Sequence, residues 1–326
     1  MKKHLLRVLA AALALAFSTG SGAAVDYPTQ VVRIISPFSP GGGNDLMARE
    51  LARRFSEQWD KTVIVEDKPG GNGDIGTNYV ADSAPDGNTL LVTTNATIVI
   101  NPQMFKKAVR FDPQTGFAPV SLLAKQPFIL VVNPKLPIHS VPELIAYARA
   151  HPGELNFGSS GSGGGAHLAG EMLKSMLGLK MTHVPYKGVA PALTDVMAGH
   201  IDFMFGSILA SQPLVRDGRL RAIAVSSKER NPTMPDLPSV SEFPGLASFE
   251  SDLWYGLLAP AKTDPAIIDK INQAAVKALN DPQLKDRFEK EGTVLVGSTP
   301  AEFKALIAKD LSKWGAVIKA ANLVSN

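Results

Sequence analysis

Short apolar runs rich in β-branched residues alternate along this chain with stretches in which apolar side chains recur every third or fourth position. The first pair sets the pattern. Val31–Ser36 reads as a buried strand, and Met47, Leu51 and Phe55 give the following helix one apolar face. Between them runs Pro37-Phe38-Ser39-Pro40-Gly41-Gly42-Gly43, a glycine turn, with Asn44-Asp45 where a helix N-cap belongs. Strands are expected over Thr62–Glu66 and Thr89–Thr94, with a loop at Lys68–Gly73 and a helix over Asp74–Ala81 between them. Val120–Ala124 and Phe128–Val132 are two apolar runs suited to strands passing from one domain into another. Beyond a helix at Glu143–Ala150, strand Leu155–Gly158, loop Ser159–Gly165 and helix Ala166–Leu177 repeat the opening architecture with different residues. Further strands are expected at Met181–Val184, Ile201–Phe205, Leu220–Val225 and Leu253–Leu258, and helices at Ala190–Ala198 and near Gln212–Arg216. Helices at Pro265–Leu279, Leu284–Lys290 and Pro300–Ala321 close the chain.

Strands alternating with helices at this spacing predict an α/β fold with mainly parallel sheets, whose ligands bind at the carboxyl ends of the strands. On that rule Asn95, at the end of the third strand, faces the same crevice as Gly42. The two crossing points suggest a discontinuous first lobe, residues 25–124 and 246–326, and a second lobe, residues 125–245, joined by a hinge across a cleft.

The start of the chain modifies this picture. Lys2, Lys3 and Arg7 precede an apolar run from Leu5 to Phe17, and Gly22-Ala23-Ala24 supplies small residues for cleavage. Residues 1–24 therefore read as a secretory signal peptide, too short for a membrane span, and the product is expected in the periplasm. Those three basic residues account for the whole excess of 33 basic over 30 acidic side chains. A mature chain near neutrality does not argue for nucleic acid or an anionic membrane surface. No cysteine is present, so neither a disulfide nor a cysteine-linked lipid enters the account.

Catalytic motifs are sparse. Gly161-Ser162-Gly163-Gly164-Gly165-Ala166 satisfies G-x-G-x-x-A, but Met181, Thr182 and His183 stand where a dinucleotide fold needs an acidic residue. The loop serines lack the G-x-S-x-G frame of a nucleophile elbow, and the six histidines show no metal-binding spacing. A secreted hydrolase or oxidoreductase is the rival reading; no catalytic residue, metal or cofactor is expected.

Each strand–glycine–helix junction aims unpaired backbone amides and the positive end of a helix dipole at one point, which suits an anion. One such run is equally a plain tight turn; two, in different lobes at strand carboxyl ends, favour binding. In the first cradle the amides of Gly41, Gly42, Gly43 and Asn44 are the donors, Phe38 is an apolar wall and Ser39 lies in the turn. Asp45 reads as a cap or brace, since its charge would repel a carboxylate. In the second, the donors are amides near Gly164, Ala166 and His167 and the hydroxyls of Ser160 and Ser162. His167 is either part of this cradle or a solvated surface group. Tyr186 and Lys187, in a loop after a strand, are candidate contacts; Trp254, Tyr255 and Asp202 read as structural.

The chain resembles the Bug receptors, the extracytoplasmic solute-binding proteins of tripartite tricarboxylate transporters. Pro37–Gly42 with Asp45, Gly158–Leu168, Val184–Ala192 with Asp195, and Trp254-Tyr255-Gly256-Leu257 carry the resemblance, with Pro69-Gly70-Gly71 and Gly218–Ala222. It implies two α/β lobes of the periplasmic binding-protein type, type II-like, with a cleft closing on a small di-, tri- or aromatic carboxylate. It also implies that loops Phe38–Asp45 and Ser159–His167 pinch the carboxylate through main-chain donors and ordered water. It implies delivery to a membrane permease with a large and a small subunit; a monomer is expected, and a sensory partner presenting the ligand to a membrane kinase is a further alternative. The chain departs from the resemblance at Asn95-Ala96-Thr97, where relatives often carry a histidine, and in its triple glycine at 41–43.

Overall fold

The computed structural model describes residues 26–323 apart from 106, 187 and 291, so the expected leader and Lys187 lie outside the described residues. Val32–Ser36 (β1) sits at the centre of a parallel trio because Val32, Ile34 and Ile35 are fully buried. Gly43–Trp59 (α1) leads to Val63–Asp67 (β2), and Asp74–Ala81 (α2) leads to Thr89–Thr94 (β3), each strand parallel to β1. A π-helical turn over Ala96–Ile100 and the short helix Asn101–Met104 (α3) follow β3.

Phe117–Val132 (β4) then crosses the molecule. The second half comprises Val141–Ala150 (α4), Asn156–Ser159 (β5), Gly165–Leu177 (α5), Thr182–Pro185 (β6), Val189–Ala198 (α6), Phe203–Ser207 (β7), Ile208–Arg216 (α7) and Arg221–Val225 (β8). The chain returns through Asp252–Pro260 (β9) and ends with Pro265–Leu279 (α8), Pro282–Glu289 (α9), Val294–Leu295 (β10) and Pro300–Ala320 (α10). The strands form one continuous path in the order β2-β1-β3-β9-β4-β7-β5-β6, with β8 and β10 also paired to β4. β5 runs parallel to β6 and β7; β4 and β9 are antiparallel to each other and to their neighbours in each half.

The two apolar runs expected around residues 120–132 are thus a single 16-residue strand. Residues 117–127 of β4 pair with β9, and Phe128–Val132 pair with β7 and β8. The intervening Lys125-Gln126-Pro127 stays extended because β9 continues beside it as far as Asp252. Pro127 has no amide to give its partner Asp252, whose carbonyl instead accepts from Asn95 Nδ2 at 2.8 Å.

The apolar residues settle in three clusters. Met47, Leu51 and Phe55 pack against Ile271 and Ala275 of α8 under the first half of the sheet. Leu193, Val196 and Met204 fill the second half. The largest cluster runs through both, joining Leu91, Leu130, Phe157 and Phe205 to Phe303, Trp314 and Ile318 of the last helix. That helix opens as its sequence predicts, with Thr299 accepting from the Glu302 amide at 3.2 Å and Pro300 in the first turn. The first helix does not. Its N-cap is Gly42, while Asn44 lies inside the helix and ties it to the sheet, donating to Val92 O at 2.8 Å and Ser36 Oγ at 3.1 Å.

Candidate functional site

The loops after β1, β2, β3 and β5 gather at the carboxyl ends of their strands, as an α/β sheet requires. They enclose a cavity of 290 Å³ lined by Phe38 from the first loop, Asn72 from the second, Ala96, Asn101 and Phe105 beyond β3, and Ser160 to Gly164 from the loop after β5. Every polar group on this lining is an amide, a hydroxyl or backbone; among the described residues the lining has no ionisable side chain.

The two glycine junctions have the same local geometry. Gly41 and Gly163 adopt φ of 87° and 81°, a left-handed conformation that glycine takes without steric cost. Gly42 and Gly164 follow as extended N-caps with ψ of 169° and 161°. Gly43 and Gly165 start the helices, and the first intrahelical bonds, Leu46 N to Gly42 O and Leu168 N to Gly164 O, are both 3.0 Å. In each junction the residue three past the cap reaches back to the left-handed glycine. Asp45 Oδ2 accepts from Gly41 N at 2.8 Å, and His167 Nδ1 accepts from Gly163 N at 2.9 Å. The helix geometry leaves the first-turn amides, at Gly43 to Asp45 and Gly165 to His167, without intrahelical acceptors.

The braces differ in charge. Burial alone would raise the Asp45 carboxyl, but the Gly41 amide and the Arg49 guanidinium, 2.7 Å away, outweigh that and hold it below the usual carboxylate range. Arg49 also holds Asp67 at 2.9 Å. His167 is buried, and desolvation, with the Lys174 charge second, lowers its pKa to about 4. It stacks on His183 at 3.7 Å between ring centroids, and burial, then the charges of His167 and Lys174, lower that ring to about 3.

Of the residues expected at the site, the structure brings Phe38, Ser160, Ser162 and Gly164 onto one cavity. Ser39, Gly41, Gly42 and Gly43 are exposed and stand outside the lining. Three expectations need correction. The Gly41 amide is taken by Asp45, so it is not a free donor. Asn95 is buried with its amide on the Asp252 carbonyl, because β9 fills the space beside the end of β3. His167 is not a surface group: only 2% of it is exposed. Asp45 is a brace, as its charge suggested, and Ala166 is buried behind the loop. Tyr186 also lies off the lining, with its hydroxyl on Asp195 Oδ2 at 2.7 Å; burial and then that carboxylate push it up to about 12. Trp254 is core, bonded through Nε1 to Asp310 at 2.8 Å.

The sequence reading missed Asn72, Asn101 and Phe105. A signal for the first existed in Gly70-Gly71-Asn72-Gly73, whose residues all take positive φ and so fold the loop back onto Phe38. A larger cavity, 420 Å³, lies beside the crossing strands; there Glu250 is held by Lys125 at 3.0 Å and Lys309 at 2.9 Å, and Asp252 keeps one buried oxygen without a hydrogen-bond partner.

Comparison with known proteins agrees with this geometry. The model of the tripartite tricarboxylate transporter family receptor matches residues 47–323. Protein BugT of Bordetella pertussis is 33% identical over 316 residues, covering 97% of this chain and 97% of its own. Among solved structures, the Rhodopseudomonas palustris protein Rpa4515 with adipate superposes with a TM-score of 0.75 at 33% identity, over 91% of this chain and 99% of that one. MatC from the same organism, with bound malate, gives 0.72 at 29% identity, over 90% and 100%.

Proposed function

The chain belongs to the tripartite tricarboxylate transporter receptor family, a family of periplasmic binding proteins and not of enzymes, and from that premise we propose that it captures a small organic carboxylate in the cavity between its two glycine junctions. The observation that carries this reading is the pair of matched helix starts, one in each half of the sheet, whose loops border one cavity free of charged side chains among the described lining residues. An anion placed there meets backbone donors and two positive helix ends, with the Asp45 charge outside the lining and paired to Arg49.

Residues 25–124 and 246–326 act as one lobe and 125–245 as the other. Their closure carries the exposed Gly42–Gly43 corner onto a carboxylate already seated on the Ser160–His167 loop. Charge-assisted hydrogen bonds contribute about 1.5–3 kcal/mol each, so four of them give roughly 6–12 kcal/mol gross. Association costs at least about 4 kcal/mol, and micromolar affinity needs about 8 net, so burial of apolar ligand surface against Phe38 and Phe105 supplies the remainder. The adipate and malate bound to the two Rhodopseudomonas palustris relatives are ligands of this chemical class. We further propose that residues 1–24 are cleaved on export, and that the receptor works as a monomer delivering its ligand to a two-subunit membrane permease.

Calorimetric titration of the mature chain with adipate, malate, citrate and benzoate tests the reading. Saturable one-to-one binding of at least one acid is expected; no heat and no thermal shift with any of them overturns it.

A further inference from the structure

We propose that His167 is a positioning residue for the second glycine loop: its neutral imidazole accepts the Gly163 amide and so fixes the direction in which the remaining loop amides face the cavity. The ligand side of this inference rests on the carboxylate-receptor reading above; the hydrogen bond itself rests on geometry.

Gly163 N lies 2.9 Å from His167 Nδ1. An amide can only donate, so Nδ1 presents its lone pair and the ring proton sits on Nε2. That nitrogen faces Glu171 Oε1 at 3.9 Å, a carboxylate oxygen already held by Lys174 Nζ at 2.7 Å. His183, from β6, covers the ring at a centroid distance of 3.7 Å, and Phe157, from β5, stacks at 6.4 Å. His183 does parallel work: its Nε2 lies 2.7 Å from Ser159 Oγ, which accepts the Gly161 amide at 3.2 Å. Two stacked imidazoles thus support the loop, His167 directly at Gly163 (φ 81°) and His183 through Ser159 at Gly161 (φ 149°).

The groups that could bias the titration of His167 are His183 from β6 and Glu171 and Lys174 from its own helix; Phe157 brings no charge. Burial keeps the ring neutral down to about pH 4, so the acceptor persists throughout the neutral range. The other junction shows that acceptance is the requirement. Asp45, at the equivalent helical position, offers a carboxylate oxygen to Gly41 at 2.8 Å.

The test uses the mature chain as wild type, His167→Asn and His167→Phe. Asparagine places its Oδ1 where imidazole places Nδ1, whereas phenylalanine keeps the ring and the stack but accepts nothing. Three readouts apply: the imidazole ¹⁵N shifts of His167, hydrogen exchange at the Gly163 amide, and titration with adipate, malate and benzoate. The wild type is expected to show an unprotonated Nδ1 and a protected Gly163 amide, with protection kept in His167→Asn. In His167→Phe, exchange at Gly163 rises and affinity falls, each by about tenfold or more, the size of one lost amide hydrogen bond. A protonated Nδ1, loss of Gly163 protection in His167→Asn, or unchanged exchange and affinity in His167→Phe overturns the proposal. If the wild type binds none of the acids, the receptor reading falls while the exchange data still decide the role of His167. If His167→Phe does not fold, the ¹⁵N shifts and the asparagine variant decide it.

Discussion

The two glycine junctions share a backbone and differ in what supports it. At the first, the brace is a buried, ionised carboxylate beneath exposed glycines, its charge shared with Arg49 and, through it, Asp67. At the second, it is a neutral imidazole sealed against a second imidazole and a phenylalanine. The two solutions differ in charge: Asp45 shares its one arginine with Asp67, whereas desolvation keeps the base neutral. The backbone geometry is therefore the conserved quantity within this molecule, and the side-chain chemistry beneath it is interchangeable wherever it ends in an acceptor.

The sharpest way to break that equivalence is to put a charge on the caps. Gly42 and Gly164 both have ordinary negative φ, and a Cβ at either would come no nearer than 3.9 Å and 3.5 Å to another heavy atom. Gly42→Asp and Gly164→Asp should therefore fold, with aspartate a favoured N-cap. Each should still weaken carboxylate binding by about a hundredfold or more, because a like charge sits within a few ångströms of the ligand. Calorimetry beside a thermal melt reads both effects. Normal affinity in one variant removes that junction from the site.

Acid separates the junctions next. The His167 and His183 values are lowered in the fold, so the unfolded chain binds more protons between the ordinary histidine value near 6.5 and about 4. Stability drawn from the second junction should fall as pH drops through that window. The Asp45 carboxyl is also lowered, but its contribution holds above the ordinary aspartate value near 4 and is lost only below it. Burial raises Asp252 to about 6 with the opposite sign, favouring the fold on acidification, so the comparison belongs in an Asp252→Asn background. Urea midpoints at pH 7, 5.5 and 4.5 should decline there, and the decline should shrink in His167→Asn. A flat profile contradicts the buried imidazole pair.

The smallest effect is expected at Tyr186. Its hydroxyl is committed to Asp195 and it lies off the cavity lining, so Tyr186→Phe should change ligand affinity by about twofold at most. A larger loss would place Tyr186 in the closed site.

What could be read in the sequence follows a physical divide. Strand, glycine turn and apolar helix face are local patterns, and Val32–Ser36 with Met47, Leu51 and Phe55 behaved as their spacing predicts, while Val31 lies before the strand and is exposed. That Asp45 caps or braces was foreseeable from its charge, but its partner, the Gly41 amide, was not. The burial of His167 was not legible, because it depends on His183 arriving from a strand 16 residues further on. The fate of Asn95 depended on Asp252, 157 positions away. Phe105 reaches the cavity only through a turn that no periodicity marks, and Pro127 hid the continuity of β4 by resembling a break.

That continuity has a mechanical consequence. One uninterrupted ribbon belongs to both halves of the molecule, and the last helix packs in the apolar cluster common to both. The proposed closure of the two lobes would then be absorbed as torsion over a few residues around Pro127, where the ladder lacks an amide, and not as free swinging on a slack tether. Such a ribbon would resist wide excursions and restore the strand register after each proposed cycle of closure.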